Sequence, residues 1–199
     1  MGNEGRQYPE VQDFLADMPP ETEVLLVAGS PNDAEYLPPA QKVLDGYGIY
    51  NYAVFCSVHR TPEEADLLAQ TIENTPNNLK RVIAFAGMTA QLGAVLQSKI
   101  TTEVVAVPIK KPGDGDEAES ASLRVPPPIG IGTFNHNEMG AISAAEATAC
   151  ALSAGDPGLK ARIWDTRNSK RVQVIDENRI LRENDGKVKA YLDAKKAAK

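Results

Sequence analysis

The chain has 199 residues, 42% of them hydrophobic and 24% charged, enough for one globular domain with a substantial core. A net charge of -6 and a sequence pI near 5.0 exclude a broad basic footprint for nucleic acid or an anionic membrane, while leaving room for a local positive pocket around a small anion. The two cysteines, Cys56 and Cys150, are far apart; they make neither a metal-ligand pair nor a disulfide framework, which fits a reducing cytoplasm.

The N-terminus is polar and acidic, with no basic segment leading into an apolar run, so no secretory signal is legible and no stretch approaches membrane-spanning length. Met1-Gly2 opens like a myristoylation acceptor, but Arg6 stands where that pattern requires Ser or Thr. A soluble, cytoplasmic protein is expected.

The first strand is expected at Glu23 to Ala28, whose Val, Leu and Ala content suits a strand buried on both faces. It runs into Gly29-Ser30-Pro31-Asn32-Asp33, which opens a helix expected from Asn32 to Tyr47. Backbone donors and the Ser30 hydroxyl at such a helix start can face a phosphate, and Asp33 can accept from ribose hydroxyls. The segment lacks the Gly-rich dinucleotide fingerprint and the Walker lysine, and capping by Asn32 or Asp33 explains it about as well.

A second strand, Tyr50 to Phe55, ends at Ser57-Val58-His59-Arg60-Thr61-Pro62-Glu63, just before a helix from Pro62 to Asn74. Open α/β sheets bind ligands at strand ends of this kind. Histidine titrates near neutrality and arginine forks onto phosphates, so the pair suits proton transfer on a phosphorylated small molecule. The bland alternative is a Thr N-cap with Pro at the first helical position and a solvated His-Arg pair. Cys56 could be a nucleophile only with a base to lower its pKa, and a buried strand-end thiol accounts for it more simply.

The third strand, Arg81 to Ala86, leads into Gly87-Met88-Thr89-Ala90-Gln91-Leu92-Gly93-Ala94 and a helix from Thr89 to Ser98. Small residues there let a ligand approach backbone amides; alternatively the glycines serve the turn, with Met88 and Leu92 in the core. A fourth strand, Glu103 to Val107, precedes an irregular excursion, Lys110 to Pro128, containing Ser122-Leu123-Arg124-Val125-Pro126. Arg124 supplies another guanidinium there, although most arginines are simply solvated. The last strand, Gly130 to Phe134, is followed by Asn135-His136-Asn137-Glu138, which lacks metal-ligand spacing and lets Asn137 cap a helix from Glu138 to Ser153. No nucleophile elbow or Ser-His-Asp order is visible. From Gly155 a charged helical arm ending in a frayed Ala/Lys-rich tail is expected.

Strand and helix alternate throughout, predicting an α/β fold: a three-layer αβα sandwich around a doubly wound, mostly parallel sheet, flavodoxin- or Rossmann-like. Residues 1–154 form that domain, with its core at about 23–153, and residues 155–199 the arm.

Taken in order, the motifs resemble the purine-biosynthetic family that makes 4-carboxy-5-aminoimidazole ribonucleotide (AIR carboxylase, or PurE-like). Its Gly-Ser-x-Ser-Asp motif is matched by Gly29 to Asp33, and five of six positions of Ser-Ala-His-Arg-Thr-Pro by Ser57 to Pro62. The resemblance implies His59 as general acid/base, Ser30, Ser57 and Arg60 on the phosphate and Asp33 on the ribose. It also implies a substrate-binding third loop holding carbon dioxide or the new carboxylate, with Gly87, Met88, Thr89, Gln91 and Leu92, and a further contact from Arg124. Asn32, where the family has its second Ser, is implied among the substrate-binding residues as well. No cofactor, metal, nucleic acid or membrane is implied, and the assembly implied is a homo-octamer.

The family has two branches. Mutases move a carboxylate from the exocyclic nitrogen of the carbamate isomer to the ring carbon; carboxylases use free carbon dioxide. Arg60 resembles the mutases. Gln91-Leu92-Gly93-Ala94, where mutases have His-Leu-Pro-Gly, and Ser122 to Pro126 resemble the carboxylases, and the balance leans to carboxylation. A sister group carboxylates nicotinate adenine dinucleotide, and its Ala-Gly-Met loop resembles Ala86-Gly87-Met88. A divergent member with such a shifted substrate, or a non-catalytic nucleotide-binding subunit, is the further alternative.

Overall fold

A computed structural model describes residues 10–197; the Met1-Gly2 and Arg6 pattern lies outside the described residues. Five strands form one parallel sheet in the order β2-β1-β3-β4-β5. They are β1 (Val24–Ala28), β2 (Asn51–Phe55), β3 (Arg81–Gly87), β4 (Glu103–Ile109) and β5 (Gly132–Thr133). Every residue of β1 is buried, as its apolar run demands at the sheet centre. β2 is an edge and is only half covered. The expected α/β fold is therefore present, in the flavodoxin-like strand order with its switch point between β1 and β3.

The helices are α1 (Leu37–Gly46), α2 (Pro62–Asn74), α3 (Leu92–Gln97), α4 (Glu117–Leu123), α5 (Asn137–Leu152), α6 (Pro157–Glu183) and α7 (Val188–Ala197). Leu25, Val27, Val82, Ala84 and Val104 share a core with Ala65, Leu68, Ala69 and Ile72 of α2 and Leu92 and Leu96 of α3. Each fully buried Leu or Val there contributes roughly 1.5–3 kcal/mol. α1 and α5 pack on each other, and α5 lies against β3 and β4. At the N-terminal end of the sheet the buried Arg81 guanidinium pairs with Glu103 and reaches the Thr148 hydroxyl at 3.5 Å.

Several boundaries differ from the sequence expectation for identifiable reasons. The helix expected over 32–47 begins as a 3-10 turn, Pro31–Tyr36, and restarts at Leu37. Pro38 and Pro39 lack N–H donors and are tolerated in a first turn, not a helix interior. The excursion from Lys110 to Pro128 contains α4, which buries Ala118 and Ser122 four residues apart and carries Glu117 and Glu119 in its first turn. The last strand shrinks from five residues to two.

The chain divides into two compact units, residues 1–152 and 153–199. In the second, Asp156 caps α6 by accepting from the Leu159 N–H, with Pro157 at the helix start. The segment expected to fray is instead α7, tied to α6 because Glu177 accepts from both the Tyr191 hydroxyl and Lys195. Among the described residues no helix is long and apolar enough to cross a membrane.

Gly140, in the first turn of α5, has no room for a side chain: an added Cβ would clash with the Asn135 carbonyl. Gly140→Ala should therefore cost at least about 2 kcal/mol. Gly46→Ala, at the end of α1 with nothing within 4 Å of the added carbon, should gain roughly 0.5 kcal/mol. Urea unfolding followed by far-UV circular dichroism compares them, and equal midpoints for the two variants would refute the steric account.

Candidate active site

The turn after β2 is closed by a single hydroxyl. Thr61 Oγ1 accepts from the Ser57 N–H at 2.9 Å and donates to the Ser57 carbonyl at 3.0 Å, while the Thr61 N–H also donates to that carbonyl at 2.8 Å. Thr61 occupies the cap position of α2 without making a cap bond, because its hydroxyl is spent backwards on the turn. This fixes Val58, His59 and Arg60 as a projecting loop, with His59 and Arg60 exposed. Arg60 spans to the next strand: Nη2 donates to the Gly29 carbonyl at 2.7 Å and Nε to Ser57 Oγ at 3.4 Å.

At the end of β1 the Gly29 N–H continues the ladder to the Phe85 carbonyl at 2.8 Å. Ser30 then takes an extended conformation, and its Oγ accepts from the Asn32 N–H at 3.2 Å. Ser30, not Asn32 or Asp33, is therefore the cap. Asn32 is exposed, whereas Asp33 is buried and its carboxylate faces Lys111 Nζ at 3.3 Å.

The loop after β3 approaches β4 closely at Gly87, where an added Cβ would lie 3.2 Å from the Ile109 carbonyl. Met88 and Ala90 both hold positive φ, 55° and 40°, and the Ala90 N–H closes the turn on the Gly87 carbonyl at 2.9 Å. These left-handed residues delay the helix expected from Thr89, so α3 starts at Leu92. Leu92 and Met88, paired as core residues in the structural alternative, separate. Leu92 sits in the core with β1 and α2, so its side chain is not at the ligand face, while Met88 is 82% exposed. Thr89 is exposed, and Gln91 is brought to His59, with Oε1 3.0 Å from Nε2.

Ser30, Asp33, Ser57, His59, Arg60, Gly87, Met88, Thr89 and Gln91 thus stand on three neighbouring strand ends, β1, β2 and β3. Arg124 does not join the bonded set: it is exposed at the end of α4, and among the described residues no hydrogen bond or ion pair links its guanidinium to His59, Gln91 or Asp33. Asn137 is not a helix cap either. It has φ 56° and pairs with the Lys110 backbone in both directions, accepting from the N–H at 2.8 Å and donating to the carbonyl at 2.7 Å. Among the described residues no cluster of His, Cys, Asp and Glu could hold a metal ion. Lys111, two residues past the end of β4, was not singled out from the sequence; a lysine pair directly after a strand was the available signal.

A model of the AIR carboxylase family matches residues 23–173. The chain is 30% identical over 158 residues to the N5-carboxyaminoimidazole ribonucleotide mutase of Methanocaldococcus jannaschii, covering 77% of this chain and 95% of that one. It is 27% identical to the enzyme of the same name from Bacillus subtilis, covering 77% and 94%. Among solved structures, Treponema denticola PurE superposes with a TM-score of 0.71 at 19% identity, covering 79% of this chain and 96% of that one, a likeness of fold.

The Cys56 thiol is buried, and burial pushes its pKa up to about 11, so at pH 8 about one molecule in a thousand carries the thiolate. An aromatic disulfide reagent at pH 8 should leave Cys56 unmodified in the native protein and label it after denaturation. Peptide mapping that finds Cys56 labelled rapidly in the native state would contradict this burial.

Proposed function

The chain belongs to the AIR carboxylase family, and we propose from this that it makes 4-carboxy-5-aminoimidazole ribonucleotide, joining a carboxyl group to the ring carbon of aminoimidazole ribonucleotide beside His59. The observation that carries the reading is the meeting of His59 Nε2 with Gln91 Oε1 at 3.0 Å, above a turn tied to β1 by Arg60. It brings an imidazole, a guanidinium and a small-residue loop together at one end of the sheet, a set that supports the reading.

In this reading Ser30, Ser57 and the donors of Arg60 not spent on Gly29 and Ser57 hold the 5′-phosphate, and Asp33 accepts from the ribose. The electron-rich ring carbon attacks carbon dioxide; a carbon–carbon bond forms, one C=O electron pair moves to oxygen, and the ring C–H proton passes to His59 Nε2, restoring aromaticity. Gln91 suits both protonation states of that nitrogen, since its amide accepts from an N–H through oxygen or, turned over, donates to a lone pair through nitrogen. The backbone from Gly87 to Gly93 supports the new carboxylate without reorganisation. Residues 1–154 carry this chemistry, in a cytoplasmic homo-oligomer.

The carboxyl donor in this proposal is free carbon dioxide. A mutase must protonate a departing nitrogen as well as deprotonate carbon, and at the loop contacting His59 this chain has a neutral amide, Gln91. The mutase reading is the second one, favoured by the names of the relatives from Methanocaldococcus jannaschii and Bacillus subtilis.

His59→Asn should lower turnover at least about a hundredfold with ribonucleotide binding largely kept; turnover near wild type removes His59 from the mechanism. Arg60→Ala should weaken the ribonucleotide and leave the dephosphorylated nucleoside's weak binding unchanged, and equal losses for both in calorimetry would count against a phosphate contact. With labelled bicarbonate in the medium and unlabelled carbamate supplied, carboxylation from solution gives product that gains label as the carbamate decays. Mostly unlabelled early product reassigns the chain to the mutase reaction.

A further inference from the structure

Of the adjacent lysines that follow β4, one is committed to the acidic excursion and the other to the active-site face. Lys110 Nζ pairs with Asp116 at 2.6 Å. Lys111 Nζ instead reaches Asp33, 78 positions earlier in the chain, at 3.3 Å. Asp33 is the one buried acidic residue among those described. A buried carboxylate is costly without a charge or hydrogen-bond partner, and Lys111 is the cation in contact with it.

The backbone around Lys111 is held from both sides. Asn137 clamps the Lys110 N–H and carbonyl. Asp114 Oδ2 accepts from the Lys111 N–H at 2.9 Å, and the Asp114 N–H donates back to the Lys111 carbonyl at 3.0 Å. The lysine is thus delivered from a braced turn rather than from a free loop, and it crosses the end of β3 to reach a residue that follows β1.

We propose that Lys111 is a positioning residue for the ribonucleotide: its ammonium, on Oδ1, holds the Asp33 carboxylate in one orientation and leaves the other oxygen to accept from a sugar hydroxyl. This rests on the reading of Asp33 as the ribose acceptor. Lys111 acts through Asp33 and does not touch the reacting carbon, so its loss affects affinity and not the chemical step.

A mutant cycle tests this with aminoimidazole ribonucleotide as the probe, measuring the dissociation constant by calorimetry and KM and kcat by product formation. Lys111→Met should raise the dissociation constant and KM about tenfold with kcat within about twofold, and Lys111→Arg should restore most of the affinity. In an Asp33→Asn background, Lys111→Met should change affinity less than about twofold, because no carboxylate remains to be held. That double variant carries neither charge, so it also serves if Lys111→Met alone folds poorly with an uncompensated buried carboxylate. Wild-type affinity in Lys111→Met, or an undiminished tenfold loss in the Asp33→Asn background, overturns the proposal, the latter by making Lys111 a direct ligand contact. Wild-type protein that binds the ribonucleotide without carboxylating it removes the reaction assigned above and leaves this inference to be decided by the dissociation constants. Failure of the wild type to bind it overturns both.

Discussion

β1 pairs with β2 and with β3 in a common parallel register, Ala28 facing Phe55 on one side and Phe85 on the other. β1 and β2 therefore end at one level and β3 runs two residues further, to Gly87, so the turns that leave the three strands share one surface. Parallel strands bring the N-termini of the following helices to the same end of the sheet, and their first N–H groups are donors suited to an anion. The bond from Arg60 to the Gly29 carbonyl and the contact between His59 and Gln91 are possible because the register has already brought those turns within side-chain reach.

The polar groups at the two ends of the sheet are organised differently. At the N-terminal end, Arg81 is buried and joined to Glu103 and Thr148, so its hydrogen-bonding capacity is turned inward. At the C-terminal end His59, Arg60, Thr89 and Gln91 stay exposed, while Asp33 is buried against a half-exposed lysine. Left-handed backbone at Met88 and Ala90 costs on the order of 1 kcal/mol per residue, and the core contacts of Leu92 and Leu96 next to it offset that cost.

Much of this was legible in the residues. Buried parallel strands write continuous apolar runs, so Glu23 to Ala28 and Arg81 to Ala86 stood out, each within a residue of the observed strand, and Thr61-Pro62 marked the start of α2 to the residue. The in-order motifs led to the family. What escaped was non-local or masked by composition. Lys111 meets Asp33 through tertiary structure alone, and in sequence it sits in a charged, Gly-rich stretch that looks solvated. α4 was hidden in that stretch because its apolar face is no wider than Ala118 and the Ser122 turn. Asn137 looked like a cap because Asn before a helix usually is one; its side chain imitates a backbone instead, prolonging the pairing of Lys110.

The order in which the site residues occur along the chain also bears on biosynthesis. Gly29 to Asp33, Ser57 to Arg60, Gly87 to Gln91 and finally Lys111 come from four separate segments, and no two of them meet through local sequence. A chain emerging from the ribosome first exposes β1 and β2, whose inner faces have no cover until β3, β4 and the helices follow. This C-terminal edge comes into being late, after roughly half the chain is made, and the α5 layer over β3 and β4 later still. Nascent protein of this architecture spends its early life with the apolar centre of the sheet open to solvent, the interval in which chaperones are needed most.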